Sequence, residues 1–141
     1  MRKIFVLHDE EAMLKAYEEF LSALGYEVFA TSNHYKFLLY AGEISADFLI
    51  FDAGEKIDIN FIKMLKNQKK TINTPLLVIV AKNNLASYPP EITHLLFKPY
   101  DISDFIKILE LYEKNKEDFI KHNVFYVENR QKNQDLPDIL G

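Results

Sequence analysis

The chain contains no cysteine among its 141 residues, which excludes disulfides, thiol nucleophiles and cysteine-ligated zinc or iron–sulfur sites. It also lacks a basic excess, because 17 Lys and Arg stand against 21 Asp and Glu, giving a net charge of −4. Nucleic-acid binding usually appears as clustered basic residues. No run approaches the ~18 apolar residues of a membrane span, and the run Ile4 to Leu7 is too short for a secretory signal. We therefore expect a cytoplasmic protein that binds neither nucleic acid nor membrane.

Short, continuously apolar runs dominate the first eighty residues, at 4–7, 48–51 and 76–80. Runs of this length, rich in Ile, Val, Leu and Phe, are typical of parallel strands that are buried on both faces. Two weaker runs, at 26–30 and 94–97, would bring the number of strands to five. The length of the chain is that of one domain.

Helical patterns fill most of the intervals between these runs. Residues 10–24, 33–42 and 59–68 are predicted helices, and Gly25 stands where the first of them should end. The first and last helices have the clearest apolar stripes, formed by Met13, Tyr17, Phe20, Leu21 and Leu24 and by Ile102, Phe105, Ile106, Leu109 and Tyr112. Strands that alternate with helices predict an α/β fold with a doubly wound parallel sheet. The interval 82–92 contains Pro89-Pro90, so we expect a loop or one turn there, and a shortened or missing fourth helix.

The carboxyl ends of the predicted strands carry most of the chemistry-bearing residues. The first strand is followed by His8, Asp9 and Glu10, the third ends at Asp52, and the fifth is followed by Lys98. In open parallel sheets ligands bind at this edge. Carboxylates that meet there repel each other unless a cation joins them, and their oxygens suit Mg²⁺. A lysine in the same place would counter the charge of a carboxylate or of a phosphoryl group on it.

These strand ends belong to a longer set of matches, and the chain from Arg2 to about Tyr112 resembles a response-regulator receiver domain of two-component signalling. Each piece is weak alone, but their order and spacing together are specific. The matching pieces are Ile4-Phe5-Val6-Leu7-His8-Asp9-Glu10, Gly25-Tyr26-Glu27-Val28, Ala46-Asp47-Phe48-Leu49-Ile50-Phe51-Asp52, Thr74-Pro75-Leu76-Leu77-Val78-Ile79-Val80-Ala81-Lys82 and Phe97-Lys98-Pro99-Tyr100.

The resemblance implies a flavodoxin-like sheet of five parallel strands with helices on both faces, and a set of roles. Asp52 would accept a phosphoryl group from the phosphohistidine of a sensor histidine kinase or phosphotransfer protein, and Lys98 would contact that group. Mg²⁺ would be held by Asp9, Asp52 and the backbone carbonyl of Gly54, with Glu10 in reserve. The chain would then not be an enzyme but would act on a downstream protein partner. Receivers often pair through the last strand and last helix, so a homodimer is also plausible.

Several positions depart from the receiver pattern. His8 replaces the first acidic residue, Val80 the hydroxyl that ordinarily senses the phosphoryl group, and Leu95 the aromatic switch residue. Lys56 stands where a proline is usual. These departures support a second hypothesis, a phosphorylation-independent pseudo-receiver that serves as a protein-interaction module.

Simpler interpretations of the same residues remain open. Asp52 can cap a loop, Asp9 can cap the first helix, and His8 can be a helix-start residue with a satisfied ring rather than a pH- or metal-responsive substitute for a carboxylate. A third hypothesis is a flavodoxin-like enzyme or cofactor binder. The loop His8-Asp9-Glu10-Glu11 would repel a phosphate, and the chain has only four glycines, so this hypothesis is the weakest.

The same reading divides the chain into a receiver-like domain over residues 1–122 and a tail over 123–141. The tail has one apolar patch, at 124–127, which we expect to dock on the domain or on a second copy. It is too short for an output domain, so a signal would leave through the surface of the domain itself.

Overall fold

The computed structural model describes residues 2–81, 88–114 and 125–127. They form one six-stranded sheet and four helices, and the helices cover both faces of the sheet. The elements are β1 (Lys3–Leu7), α1 (Glu11–Ala23), β2 (Glu27–Thr31), α2 (His34–Glu43), β3 (Phe48–Gly54), α3 (Ile59–Lys66), β4 (Leu76–Val80), β5 (His94–Phe97), α4 (Ile102–Lys114) and β6 (Phe125–Val127).

The strands lie in the order β2-β1-β3-β4-β5-β6, and all pairs are parallel. The predicted doubly wound parallel sheet is confirmed, with its five predicted strands in place. The three continuous apolar runs form β1, β3 and β4, and β4 is buried at every position. Burial on both faces explains why these strands show no polar alternation.

Two apolar cores flank the sheet. The core under α2 and α3 includes Phe37, Ile62 and Val80, and the core under α1 and α4 includes Leu21 and Phe105. The arrangement leaves the carboxyl ends of the strands open between the two helical layers. Among the helices that the structure describes, none combines the length and the hydropathy needed to cross a membrane.

Helices α1 and α4 bury slightly different residues from those in their predicted apolar stripes. On α1 the buried residues are Leu14, Tyr17 and Leu21, whereas Met13 and Leu24 are exposed. On α4, Ile108 is buried and Ile102 is exposed. Both helices carry more apolar residues than one face can bury, so spacing alone could not decide which ones lie inside. The predicted end of α1 is confirmed, since Gly25 follows it with a positive φ of 98°.

The interval between β4 and β5 has only a turn at Pro90 and Glu91 in its described part, 88–93, in agreement with the predicted shortening of the fourth helix. Residues 82–87 lie outside the described residues. A sixth strand was not predicted as such: part of the apolar patch, Phe125–Val127, forms β6 and pairs with β5. Val124 and the rest of the predicted tail, except β6, lie outside the described part of the chain.

Candidate functional site

The candidate site lies where the carboxyl ends of β1, β3 and β5 come together. His8 directly follows β1, Asp52 lies near the end of β3, and Lys98 directly follows β5. The order β1-β3-β4-β5 in the sheet places these three strand ends at one edge. The structure therefore brings Asp52 and Lys98 together, as the sequence predicted, and adds His8 to them.

Asp52 is the centre of this site and is almost completely buried, with 3% of its surface exposed. The register between β3 and β4 shifts between Asp52 and Gly54, so the strand is irregular at the point where the carboxylate projects. Gly54 has a φ of 71°, a conformation that favours glycine, and its backbone N–H donates to Asp52 Oδ1 at 3.3 Å. The local backbone thus helps to hold the carboxylate in place.

Three hydrogen-bond donors and the His8 ring surround the Asp52 carboxylate. Lys98 Nζ donates to Oδ1 at 2.7 Å, beside the backbone N–H of Gly54. His8 Nε2 and the Tyr17 hydroxyl lie 3.2 Å from the other oxygen, Oδ2. An ionised carboxylate has about four lone-pair positions for hydrogen bonds. Three hydrogen bonds and the His8 ring therefore take up most of the surroundings of the Asp52 oxygens, and Lys98 compensates the charge.

The hydrogen bonds of His8 determine its protonation. The backbone N–H of Glu10 donates to His8 Nδ1 at 3.0 Å, so Nδ1 carries no proton. The proton of the neutral ring is then on Nε2, which faces Asp52. His8 is buried, and its Nε2 lies beside the carboxylate at 3.2 Å. The geometry supports the interpretation of His8 as a helix-start residue whose ring nitrogens have polar partners. One of these partners is Asp52, the candidate phosphoryl acceptor.

Tyr17 is the site residue that the sequence analysis missed, since it was assigned only to the apolar stripe of α1. Its hydroxyl donates to Asp52 and also lies 3.2 Å from the hydroxyl of Tyr100. Burial raises the pKa of Tyr17 far above its ordinary value, and the neighbouring Tyr100 and Asp52 raise it further. Tyr17 therefore stays protonated and remains a donor. A tyrosine within a buried stripe is the available signal, because its hydroxyl needs a partner.

The other predicted acidic residues do not join Asp52. Asp9 is largely exposed, and its Oδ1 lies 3.3 Å from Nε2 of His34 on α2. Glu10 is exposed and occupies the N-cap position of α1, without a hydrogen bond from its side chain to the helix. The interpretation of Asp9 as the helix cap is therefore not supported either.

The residues at the site do not fit Mg²⁺ in this arrangement. Asp9 is paired with His34, Asp52 is paired with Lys98 and accepts two further hydrogen bonds, and the carbonyl of Gly54 accepts from the backbone N–H of Ala81. Within the described ranges, no three His, Asp or Glu side chains are close enough to hold a metal ion together. Divalent cations of this kind need several free oxygen ligands.

The two positions that would read a phosphoryl group in a receiver are apolar and belong to the core. Val80 ends β4 and Leu95 lies in β5, and neither side chain is exposed. The side chain of Val80 offers no hydrogen bond, and the polar contacts of Asp52 lead towards β1, α1 and Lys98.

The chain is similar to several known proteins in sequence and in structure. No protein-family model matches the chain. It is 27% identical over 146 aligned residues to the transcriptional regulatory protein CrdR of Helicobacter pylori, an alignment that covers 96% of this chain and 68% of that protein.

Among solved structures, it is similar to a response regulator receiver modulated diguanylate cyclase from Pelobacter carbinolicus, with 22% identity and a TM-score of 0.69 over 86% of this chain and 100% of that one. It also matches the receiver domain of the sensor histidine kinase PA1611 of Pseudomonas aeruginosa, whose structure has a magnesium ion in the active site cleft. There the identity is 17% and the TM-score 0.62, over 77% of this chain and 94% of that one. At these identities the structural likeness concerns the fold.

Proposed function

The chain has the fold of a response-regulator receiver domain, and from this premise we propose that it is a pseudo-receiver: a signalling module that acts through protein contacts without phosphorylation of Asp52. The observation that carries the proposal is the enclosure of Asp52 by three hydrogen-bond donors and the His8 ring. A carboxylate that attacks phosphorus needs an accessible lone pair. Here Oδ1 accepts two hydrogen bonds, and Oδ2 accepts one and lies 3.2 Å from His8 Nε2.

The charge at the site supports the same proposal. Asp52 contributes one negative charge, Lys98 one positive charge, and His8 is neutral in its Nε2-protonated form. The buried site therefore has no net negative charge to attract a divalent cation. With Asp9 turned to His34, recruitment of Mg²⁺ would also require both acidic side chains to change partners.

The residues at the two switch positions, Val80 and Leu95, also support the pseudo-receiver proposal. Coupling between phosphorylation and a surface change needs contacts that differ between two states. Val80 and Leu95 are fully buried apolar residues and supply no polar contact that a phosphoryl group could change.

The fold further suggests the partners. A receiver fold is consistent with a sensor histidine kinase or phosphotransfer protein upstream and another protein downstream, with binding rather than catalysis as the role of this chain. The expected homodimer through the last strand and last helix meets an obstacle, because β6 pairs with the edge of β5. A second copy would have to add to β6 or use the helices.

A second candidate function is the phosphoacceptor itself, and one observation favours it: Lys98 Nζ lies 2.7 Å from the carboxylate at the end of β3. In that case an Asp52 oxygen would attack the phosphorus of a phosphohistidine. The P–N bond would break, and the leaving imidazole nitrogen would keep its electron pair. Lys98 would then bind the transferred phosphoryl group.

Intact-mass measurement after incubation with a small phosphodonor and Mg²⁺ separates the two functions. We expect no gain of phosphoryl mass in the natural chain. The matched variant is His8→Asp combined with Val80→Thr, which restores an acidic residue and a hydroxyl, and we expect it to gain the mass. Asp52→Asn in that background should abolish the gain. A phosphoryl adduct on the natural chain that disappears in Asp52→Asn would overturn the pseudo-receiver proposal and support the second candidate.

A further inference from the structure

We infer that Tyr17 and Tyr100 couple Asp52 to an apolar groove between α1 and α4. In receivers, a hydroxyl and an aromatic ring at the positions of Val80 and Leu95 couple the acceptor aspartate to the surface. Here the two tyrosines would provide such a coupling, on a different face of the domain. The inference concerns the state of the Asp52 carboxylate and does not depend on whether Asp52 is phosphorylated.

The coupling path is a short directional chain of hydrogen bonds. The Tyr17 hydroxyl has a single proton, and it gives that proton to Asp52 Oδ2 at 3.2 Å. The bond between the two hydroxyls, also 3.2 Å, must then run from Tyr100 to the oxygen of Tyr17. Consecutive hydrogen bonds that point the same way strengthen one another. The negative charge of Asp52 thus determines the direction of both.

The outer end of this chain is part of the groove. The groove has a volume of about 200 Å³ and is lined mostly by apolar side chains, those of Met13, Ala16, Tyr17, Phe20, Tyr100, Ile102 and Phe105. The ring of Tyr100 stacks on Phe105 with the centroids 6.2 Å apart and the planes 23° apart. Tyr17 and Phe20 also contact Phe105, at centroid distances of 6.0 and 6.1 Å. The rings of both tyrosines therefore shape the groove.

The charge on the Asp52 carboxylate determines how the two tyrosine hydroxyls are oriented. When the carboxylate is charged, Tyr17 must donate to it, and Tyr100 is held against Tyr17. When the charge is lost, Tyr17 is released from that requirement, and its proton can turn towards Tyr100. Tyr100 is then no longer required to donate to Tyr17, so its ring, which lines the groove, is no longer held in the position that this hydrogen bond fixes. By linkage, anything that binds the groove and prefers one arrangement would change the environment of Asp52 by the same free energy.

The methionines make the test specific. Met13 lines the groove, whereas Met64 lies exposed on α3, on the opposite side of the sheet. Of the three methionines in the chain, methyl-labelled Met13 is therefore an NMR reporter in the groove and Met64 a control elsewhere. We expect Asp52→Asn to displace the Met13 methyl signal clearly while the Met64 signal stays in place. In a Tyr17→Phe background, the same Asp52→Asn change should leave Met13 almost where it was.

Two results would overturn the inference. One is that Asp52→Asn moves Met13 as much in the Tyr17→Phe background as in the natural chain, which would show that the effect travels by another route. The other is that Asp52→Asn moves Met13 no more than Met64. If Tyr17→Phe does not fold, Tyr100→Phe tests the outer bond in the same way, and we expect it to reduce the Met13 displacement.

These outcomes are independent of the mass measurement. The groove signal depends on the Asp52 charge and the two hydroxyls, whereas the mass measurement detects a phosphoryl group. Failure of one experiment therefore does not imply failure of the other.

Discussion

Nε2 of His8 lies 3.2 Å from Oδ2 of Asp52, and both side chains are buried. A neutral imidazole thus occupies the place beside Asp52 where the receiver pattern has a carboxylate. This single contact changes both the charge and the hydrogen bonding of the site.

Replacing His8 with a carboxylate should therefore create a need for a cation. We expect His8→Asp to destabilise the protein by about 1–3 kcal/mol in the absence of divalent ions, since a buried donor is lost and a second negative charge is added. Mg²⁺ should restore up to about 2.7 kcal/mol at a concentration one hundred times its Kd. Urea unfolding with and without Mg²⁺ measures both effects.

The matched control for that experiment is His8→Asn, which has nearly the same shape as His8→Asp but no charge. It should be destabilised without any response to Mg²⁺. Stabilisation of the natural chain by Mg²⁺ as large as that of His8→Asp would contradict the prediction.

Removing the Tyr17 hydroxyl should cost stability even though the ring remains. Tyr17→Phe leaves Asp52 with one donor fewer in a buried place, and the loss should be about 1–2 kcal/mol in urea unfolding. Tyr35→Phe is the control, because Tyr35 lies on the surface of α2 with 68% exposure. Its effect should be close to zero, and equal effects of the two substitutions would disprove the role of the Tyr17 hydroxyl.

Removing the cation should leave Asp52 uncompensated. We expect Lys98→Met to destabilise the protein by about 1–3 kcal/mol at neutral pH, towards the lower end because the Lys98 side chain is 34% exposed and water screens the pair. In an Asp52→Asn background the same substitution should cost clearly less. A double-mutant cycle in urea measures this difference, and equal costs in both backgrounds would show that the pair is not coupled.

His94 should make the protein sensitive to mild acid. Burial lowers the pKa of this histidine in β5 to about 4, so the unfolded chain takes up its proton at a higher pH than the folded chain. Stability is complete above about pH 6.5, falls as the pH drops towards about 4, and then levels off, for a total loss of about 3 kcal/mol.

Comparison with His94→Leu isolates this contribution, because the other histidines are present in both chains. Unfolding free energies measured between pH 7 and pH 4 should fall more steeply in the natural chain than in His94→Leu. Parallel pH profiles would show that His94 does not titrate as its burial requires.

Much of the fold follows from local patterns in the sequence. The apolar runs of β1, β3 and β4 are continuous because both faces of these strands are buried, and the helical intervals follow from apolar spacing. The strand ends then place Asp52 and Lys98 at one edge for any parallel sheet of this order. These conclusions need only short-range information.

Two features depend on packing between distant parts of the chain. β6 could not be assigned from an isolated patch of four apolar residues, because its pairing with β5 depends on a neighbour about thirty positions away. The core face of α1 was also ambiguous from spacing, and only the packing of α1 on the sheet shows that Leu14 is buried and Met13 exposed.

For the candidate site as well, some features follow from the sequence and others only from the tertiary structure. The sequence is sufficient to place a carboxylate, a lysine and a histidine at the same edge of the sheet, because each comes at or just after the carboxyl end of a parallel strand. Only the tertiary structure shows that Asp9 pairs with His34, and that Tyr17 reaches Asp52 from a helix 35 positions away. The reason is physical: a buried carboxylate must have its hydrogen bonds satisfied, but which donors satisfy it depends on how helices and strands pack together.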